Sequence, residues 1–140
     1  MANVVCTSFT SELMKGDHDF ANDTFKIALY TSSATSLADY TAYSATNEAS
    51  GTGYSAGGVV LSGNTVGTSG TTAYADFTDP EYTSVTITAR YALVYNTSAA
   101  LVTNAACFFL DFTENKTATN GTFKIVFPTP GASGLLTVTG

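Results

Sequence analysis

The stretch that most constrains this chain is Thr83–Asn96, TSVTITARYALVYN, taken together with Ala105–Phe112, AACFFLDF. Val85, Ile87 and Ala89 alternate with Thr86, Thr88 and Arg90, the period-two pattern of a strand with one buried and one wet face. Tyr91–Tyr95 carries almost no polar residue on either face, so this half belongs in the middle of a sheet, covered on both sides. Ala105–Phe112 repeats the signal, with Phe108, Leu110 and Phe112 on one face and Cys107, Phe109 and Asp111 on the other. Thr97–Asn104 is long enough to turn between them, and an antiparallel core pair is expected.

The remaining elements are short. Phe25–Tyr30, FKIALY, alternates as a strand, Val59–Leu61 and Tyr74–Phe77 read as two more, and Leu135–Val138 can add a last edge. Asp79-Pro80 ends the third of these, because proline cannot donate to a ladder. Val66–Ala73 reads as a Gly/Thr loop. Asn120-Gly121 reads as a two-residue hairpin turn, since both central positions of such a turn need positive φ. It would join a strand ending near Thr119 to Thr122–Phe127, whose TFKI repeats Thr24–Ile27. The one helical pattern is Thr7–Lys15, with Ser8 or Thr10 as cap, Phe9, Leu13 and Met14 on its apolar side, and Gly16 as its stop. Seven to nine short strands and at most one short helix predict an all-β fold, an antiparallel two-sheet sandwich of jelly-roll or immunoglobulin-like type, with a closed barrel as the alternative.

With 140 residues, a single domain spanning the whole chain is expected, large enough to bury roughly two-thirds of its unfolded surface. Only 11% of residues are charged and the formal charge is −6, so the surface is rich in hydroxyls and amides. Lys15, Lys26, Arg90, Lys116 and Lys124 are scattered, which disfavours binding to nucleic acid. No run approaches the roughly 18 apolar residues of a membrane span, and the N-terminus lacks the basic and apolar regions of a secretion signal. A soluble protein made in the cytosol is expected, with Cys6 and Cys107 as buried free thiols. The Asn-x-Ser/Thr sequences at Asn22, Asn96, Asn115 and Asn120 then read as turn residues.

No catalytic, cofactor-binding or metal-binding set is legible. His18, the only histidine, lies between Asp17 and Asp19 in the polar stretch Gly16–Asp23, and reads as a solvated turn residue without metal-cage spacing. Asp76, Asp79 and Glu81 read as strand-end polar residues rather than a glycosidase pair. Gly51-Thr52-Gly53 lacks the strand and helix that phosphate cradling requires. The segment Thr31–Gly58 is long and poor in aliphatics, as functional segments of compact domains often are. Tyr40, Tyr43 and Tyr54 anchor it. Packing on the protein's own sheet is the favoured role of these tyrosines, with stacking on sugars or bases as the alternative. Arg90, the only arginine, is expected in an ion pair at a sheet rim or subunit boundary. Tyr40, Tyr43, Tyr54 and Arg90 are thus the candidate subunit or partner contacts.

Taken in order, FKIALYTSSAT (Phe25–Thr35), TAYSATNEASGTGYSAGGVVL (Thr41–Leu61), ARYALVYN (Ala89–Asn96), FLDF (Phe109–Phe112) and NGTFKIVFP (Asn120–Pro128) resemble a family of small tailed-bacteriophage virion structural proteins. The pattern E-x-S-G-x-G-Y-x-x-G-G at Glu48–Gly58 is the most specific part. The resemblance implies a non-enzymatic part of the phage particle, made in the host bacterial cytoplasm and located in the virion, with no catalytic residues and no cofactor. A capsid decoration or cement protein bound to the major capsid protein is the favoured role, and a neck or tail component the alternative. A glycan- or receptor-binding module, argued from the tyrosines, is the rival of another class. Sparse charge gives up the usual defence of strand edges, so a homo-oligomer is expected, and family analogy favours a trimer.

Overall fold

The computed structural model describes residues 2–140. Along the chain run β1 (Ala2–Val5), α1 (Thr7–Met14), β2 (Phe25–Tyr30), β3 (Val59–Val60), β4 (Thr65–Ser69), β5 (Thr72–Asp76), β6 (Glu81–Asn96), β7 (Ala105–Lys124) and β8 (Leu136–Thr139), with a short 3-10 turn at Leu37–Asp39. They form two antiparallel sheets, ordered β1-β7-β6-β2-β3 and β4-β5-β8. The fold is therefore all-β and sandwich-like, with the one short helix expected.

The core pair is β6 against β7, where Leu93 lies opposite Phe109 and Val94 opposite Phe108. Successive strand residues point to opposite faces, and here both faces are covered. Phe108 meets Phe9 of α1 at 6.4 Å between ring centroids, while Phe109 meets Tyr40 of the long segment at 4.9 Å. On the helix side the aromatic layer continues from Phe9 to Phe20, Phe25 and Phe77. This double cover is why Ala92–Tyr95 and Ala105–Leu110 are buried throughout, while Val85, Ile87 and Ala89 are buried only in alternation.

The Asn120-Gly121 hairpin does not form. β7 runs through these residues without reversing, and the pairing steps from Val85↔Gly121 to Ile87↔Ala118, which leaves one extra residue on β7. Asn120 takes the left-handed conformation (φ 47°) that a hairpin would have used, but as the pivot of a bulge. β6 supplies the partner strand across the whole segment, and that non-local ladder overrides the local turn signal. Ser84, with φ 53°, marks a matching bulge on β6.

Val66–Ala73 is also not a loop. β4 and β5 form a regular hairpin from Thr65↔Asp76 to Ser69↔Thr72, turned by Gly70 at φ 59°. Its hydroxyls and glycines hide the alternation that would mark a strand. The helix begins as expected but is not capped by Ser8 or Thr10. Cys6 is its N-cap and makes no side-chain capping bond, because the chain enters α1 straight from β1 with the Cys6 N–H on the Cys107 carbonyl at 3.0 Å. Gly16, at φ 77°, closes the helix through its N–H to the Leu13 carbonyl.

Candidate functional site

The Glu48–Gly58 pattern is a clasp on the edges of β6 and β2. Along β6, β2 pairs only with Tyr91–Asn96, so the first half of β6 lacks a strand neighbour on that side. Residues 51–53 supply it: the Thr86 N–H donates to the Thr52 carbonyl at 3.0 Å. The approach is so close that a Cβ on Gly51 would collide with the Thr86 carbonyl, and one on Gly53 with the Ser84 carbonyl. Gly58, at φ 78°, passes equally close to the Ile27 carbonyl of β2. These glycines are where backbone lies on backbone.

Glu48 is the hub of the clasp. Its carboxylate accepts the Tyr43 hydroxyl at 2.6 Å, the Tyr54 hydroxyl at 2.7 Å and the Gly57 N–H at 2.8 Å. The Tyr54 oxygen in turn accepts the Leu29 N–H at 2.9 Å, and the Tyr95 hydroxyl donates to the Gly57 carbonyl at 2.7 Å. Burial, with the Glu48 carboxylate close by, pushes the Tyr43, Tyr54 and Tyr82 hydroxyls far above their ordinary range, and Tyr95 to about 12.

The candidate contact residues are engaged inside the molecule. Tyr43 stacks on Tyr95 at 5.0 Å, Tyr54 packs on Tyr82, and Tyr40 packs on Tyr30 and Phe109. All three are half-buried and packed against the core. Arg90 makes the expected ion pair, Nε to Asp111 Oδ1 at 2.7 Å, and its guanidinium lies over Tyr91 at 5.2 Å.

His18 departs from expectation. It is not a solvated turn residue: its side chain is fully enclosed, packed on Phe9 and hydrogen-bonded to both α1 and the end of β6. Nε2 lies 3.1 Å from Glu12 Oε1, and Nδ1 accepts from the Asn96 amide at 3.0 Å. Asn96 also donates to Asp23 at 2.8 Å, and its Oδ1 accepts the Ser98 N–H at 2.8 Å. That last bond fixes the amide orientation, so the imidazole proton sits on Nε2 and points at Glu12. Asn96 is accordingly a buried strand residue and not a turn residue. The sequence signal was its place at the end of an otherwise apolar run; Glu48 opens the Glu48–Gly58 pattern but nothing local marks it as a hub, and Glu12 carried no signal.

Two chemistries can be weighed at this cluster. The Cys107 thiol lies 3.9 Å from His18 Nδ1, which lines up a thiol, an imidazole and a carboxylate in the order of nucleophile, base and orienting group. Nδ1 is already occupied by Asn96, burial pushes the Cys107 thiol well up, and its side chain is 0% exposed, so no substrate atom reaches the sulfur. Cys6 is likewise a buried free thiol, pushed up to about 12 by burial. Donor atoms of Glu12, Asp17 and His18 lie within 4.8 Å of one another. With the proton on Nε2, the imidazole has no lone pair to offer a cation there. Turning Asn96 over would set donor against donor at Ser98 and acceptor against acceptor at Asp23. The cluster does structural work: it ties α1, the turn at residues 17–23 and the end of β6 together, while Asp17 holds the Ala100 and Leu101 amides.

The three carboxylates near β5 do not converge on one task. Asp79 accepts the Phe127 N–H at 2.9 Å, and Glu81 pairs with Lys124 at 3.5 Å. Asp76 keeps one buried oxygen without a partner, and burial pushes its carboxyl up.

No family model matches the chain, and neither a curated protein nor a solved structure was found to be similar to it.

Proposed function

We propose that this chain is a non-enzymatic structural protein of a tailed-phage particle, most specifically a head decoration or cement protein that binds the major capsid protein. The observation that carries the reading is the clasp. Gly51, Gly53, Tyr54, Gly57 and Gly58 of the Glu48–Gly58 pattern each meet β6 or β2, and Glu48 ties Tyr43, Tyr54 and Gly57 of the segment to one another. The resemblance to phage structural proteins therefore rests on residues that such a fold needs.

Further support comes from the groups that are withdrawn from chemistry. His18 and both thiols are enclosed, Glu12 accepts from the His18 imidazole, and the other carboxylates named above are tied to backbone amides, the Asn96 amide, tyrosines or cations, apart from one oxygen of Asp76. The tyrosines of the long segment pack on the protein's own sheet, which favours a structural role over a glycan-binding platform. A formal charge of −6 suits the outside of a capsid, away from packaged DNA. In this reading the protein is made in the host cytoplasm, ends in the virion, and associates with other virion proteins and with itself.

The test is to label the protein in assembled particles and image them. Many copies over the icosahedral shell are expected. Density confined to the portal vertex or tail would move the assignment to a neck or tail component, and absence from particles would overturn it.

A further inference from the structure

We infer that Cys6 and Cys107 are a modification site, a latent disulfide that closes between β1 and β7 when the folded chain meets an oxidising small-molecule disulfide.

The two cysteines are far apart in sequence and directly opposed in the fold. The β1–β7 ladder runs through Val4↔Phe109 and Val5↔Phe108, and its next step sets Cys6 against Cys107, with the Cys6 N–H on the Cys107 carbonyl at 3.0 Å. Opposed residues of an antiparallel pair lie about 4.5–5.5 Å apart at Cα, inside the roughly 4.4–6.8 Å that a disulfide spans. Their side chains also leave the sheet on one face. Here that face is covered by α1. Burial raises both thiols, the Glu12 carboxylate of the helix adds to each, and for Cys107 the largest cause after burial is Cys6 itself. Neither sulfur is tightly held. Cys6 Sγ lies 3.6 Å from the Leu37 carbonyl, and Cys107 Sγ lies 3.6 Å from the Ala105 carbonyl and 3.9 Å from His18 Nδ1, which Asn96 already occupies.

Both thiols are 0% exposed, so the reaction starts from a local opening. β1 is four residues long, stands at the end of its sheet and has β7 as its only neighbour there, the kind of element that frays first. When β1 and its junction with α1 lift, Cys6 leaves the core, while Cys107 stays on the inner strand. The Cys6 thiolate attacks one sulfur of the small disulfide, so a mixed disulfide forms on Cys6 and one small thiolate leaves. As β1 returns, that sulfur comes back opposite Cys107, whose thiolate displaces the second small thiolate and closes the Cys6–Cys107 bond. Two protein thiols are oxidised, the small disulfide is reduced to two thiols, and those take up the two protons released.

The bridge closes a loop from residue 6 to residue 107 that contains α1 and every strand from β2 to β6, so it constrains the unfolded chain strongly. Resting on the function proposed above, the place of closure follows: the chain is made in a reducing cytoplasm, and the bond forms once the particle is outside it.

The test is to incubate the full, folded chain with oxidised glutathione, alkylate it under denaturing conditions and map its peptides by mass spectrometry. Expected are an intramolecular Cys6–Cys107 link with neither thiol alkylated, a thermal midpoint raised by about 5 °C or more, and slower hydrogen exchange at Val4 and Val5. In Cys107→Ser the reaction should stop at glutathione on Cys6, whereas Cys6→Ser should stay unmodified, because β1 is the element that opens. The wild-type result does not depend on either variant folding. Two alkylated thiols after an exposure that oxidises the urea-unfolded chain, a bridge only between molecules, or a bridge that lowers the midpoint would each overturn the proposal. So would glutathione on Cys107 of Cys6→Ser as fast as on Cys6 of Cys107→Ser. All of this is read on the purified chain, so it is decided separately from whether the protein enters particles.

Discussion

Nε2 of His18 donates to Oε1 of Glu12 across 3.1 Å, and both side chains are almost wholly enclosed. His18→Ala removes the partner of a buried carboxylate, frees the Asn96 amide and opens space beside Phe9. The expected loss is about 3 kcal/mol, a large share of the 5–15 kcal/mol that holds a typical domain. Urea unfolding should show a lower midpoint at unchanged slope. A loss below about 1 kcal/mol would mean that the network is not structural.

Glu48→Ala should cost about 3 kcal/mol, because Tyr43, Tyr54 and Gly57 lose their acceptor together. Glu48→Gln keeps one acceptor oxygen and turns an N–H against a donor, so about half that loss is expected. Equal losses in the two variants would show that volume, rather than accepted hydrogen bonds, is what Glu48 provides.

Gly51→Ala and Gly58→Ala should each cost more than about 2 kcal/mol, since the new methyl meets a carbonyl of β6 or β2 that cannot move without its ladder. Gly121→Ala is the control. Its Cβ would find nothing nearer than 3.5 Å and its φ is not positive, so a change within about 1 kcal/mol is expected. Thermal midpoints of the three variants are the comparison.

The clasp also predicts alkaline unfolding. Burial raises Tyr30, Tyr43, Tyr54 and Tyr82 above the ordinary 10.0, and Tyr95 to about 12. Above pH 10 the unfolded chain releases protons that the folded chain still holds, so stability falls as pH rises. The contribution is complete below pH 10 and is lost progressively through about 12 and beyond. Tyrosinate absorbance and circular dichroism followed together should change in one step. Smooth ionisation of every tyrosine with the fold intact would contradict the buried arrangement.

What the sequence determined by itself is the part that periodicity encodes. Phe25–Tyr30 alternates and is β2, and Thr83–Asn96 passes from alternating to wholly apolar because β6 passes from one covered face to two. Ala105–Phe112 pairs with it for the same reason. Tertiary structure decided what depends on residues far apart. Asn120-Gly121 has the local chemistry of a hairpin, but β6 lies alongside and the αL residue becomes a bulge. His18 sits among carboxylates in sequence and is buried because Asn96, 78 positions away, and Glu12 complete its hydrogen bonds. Val66–Ser69 has almost no apolar pattern and becomes a strand through its ladder to β5. Local patterns fix which residues must leave water, whereas polar burial, bulges and edge pairing are set by partners that only the folded chain brings within reach.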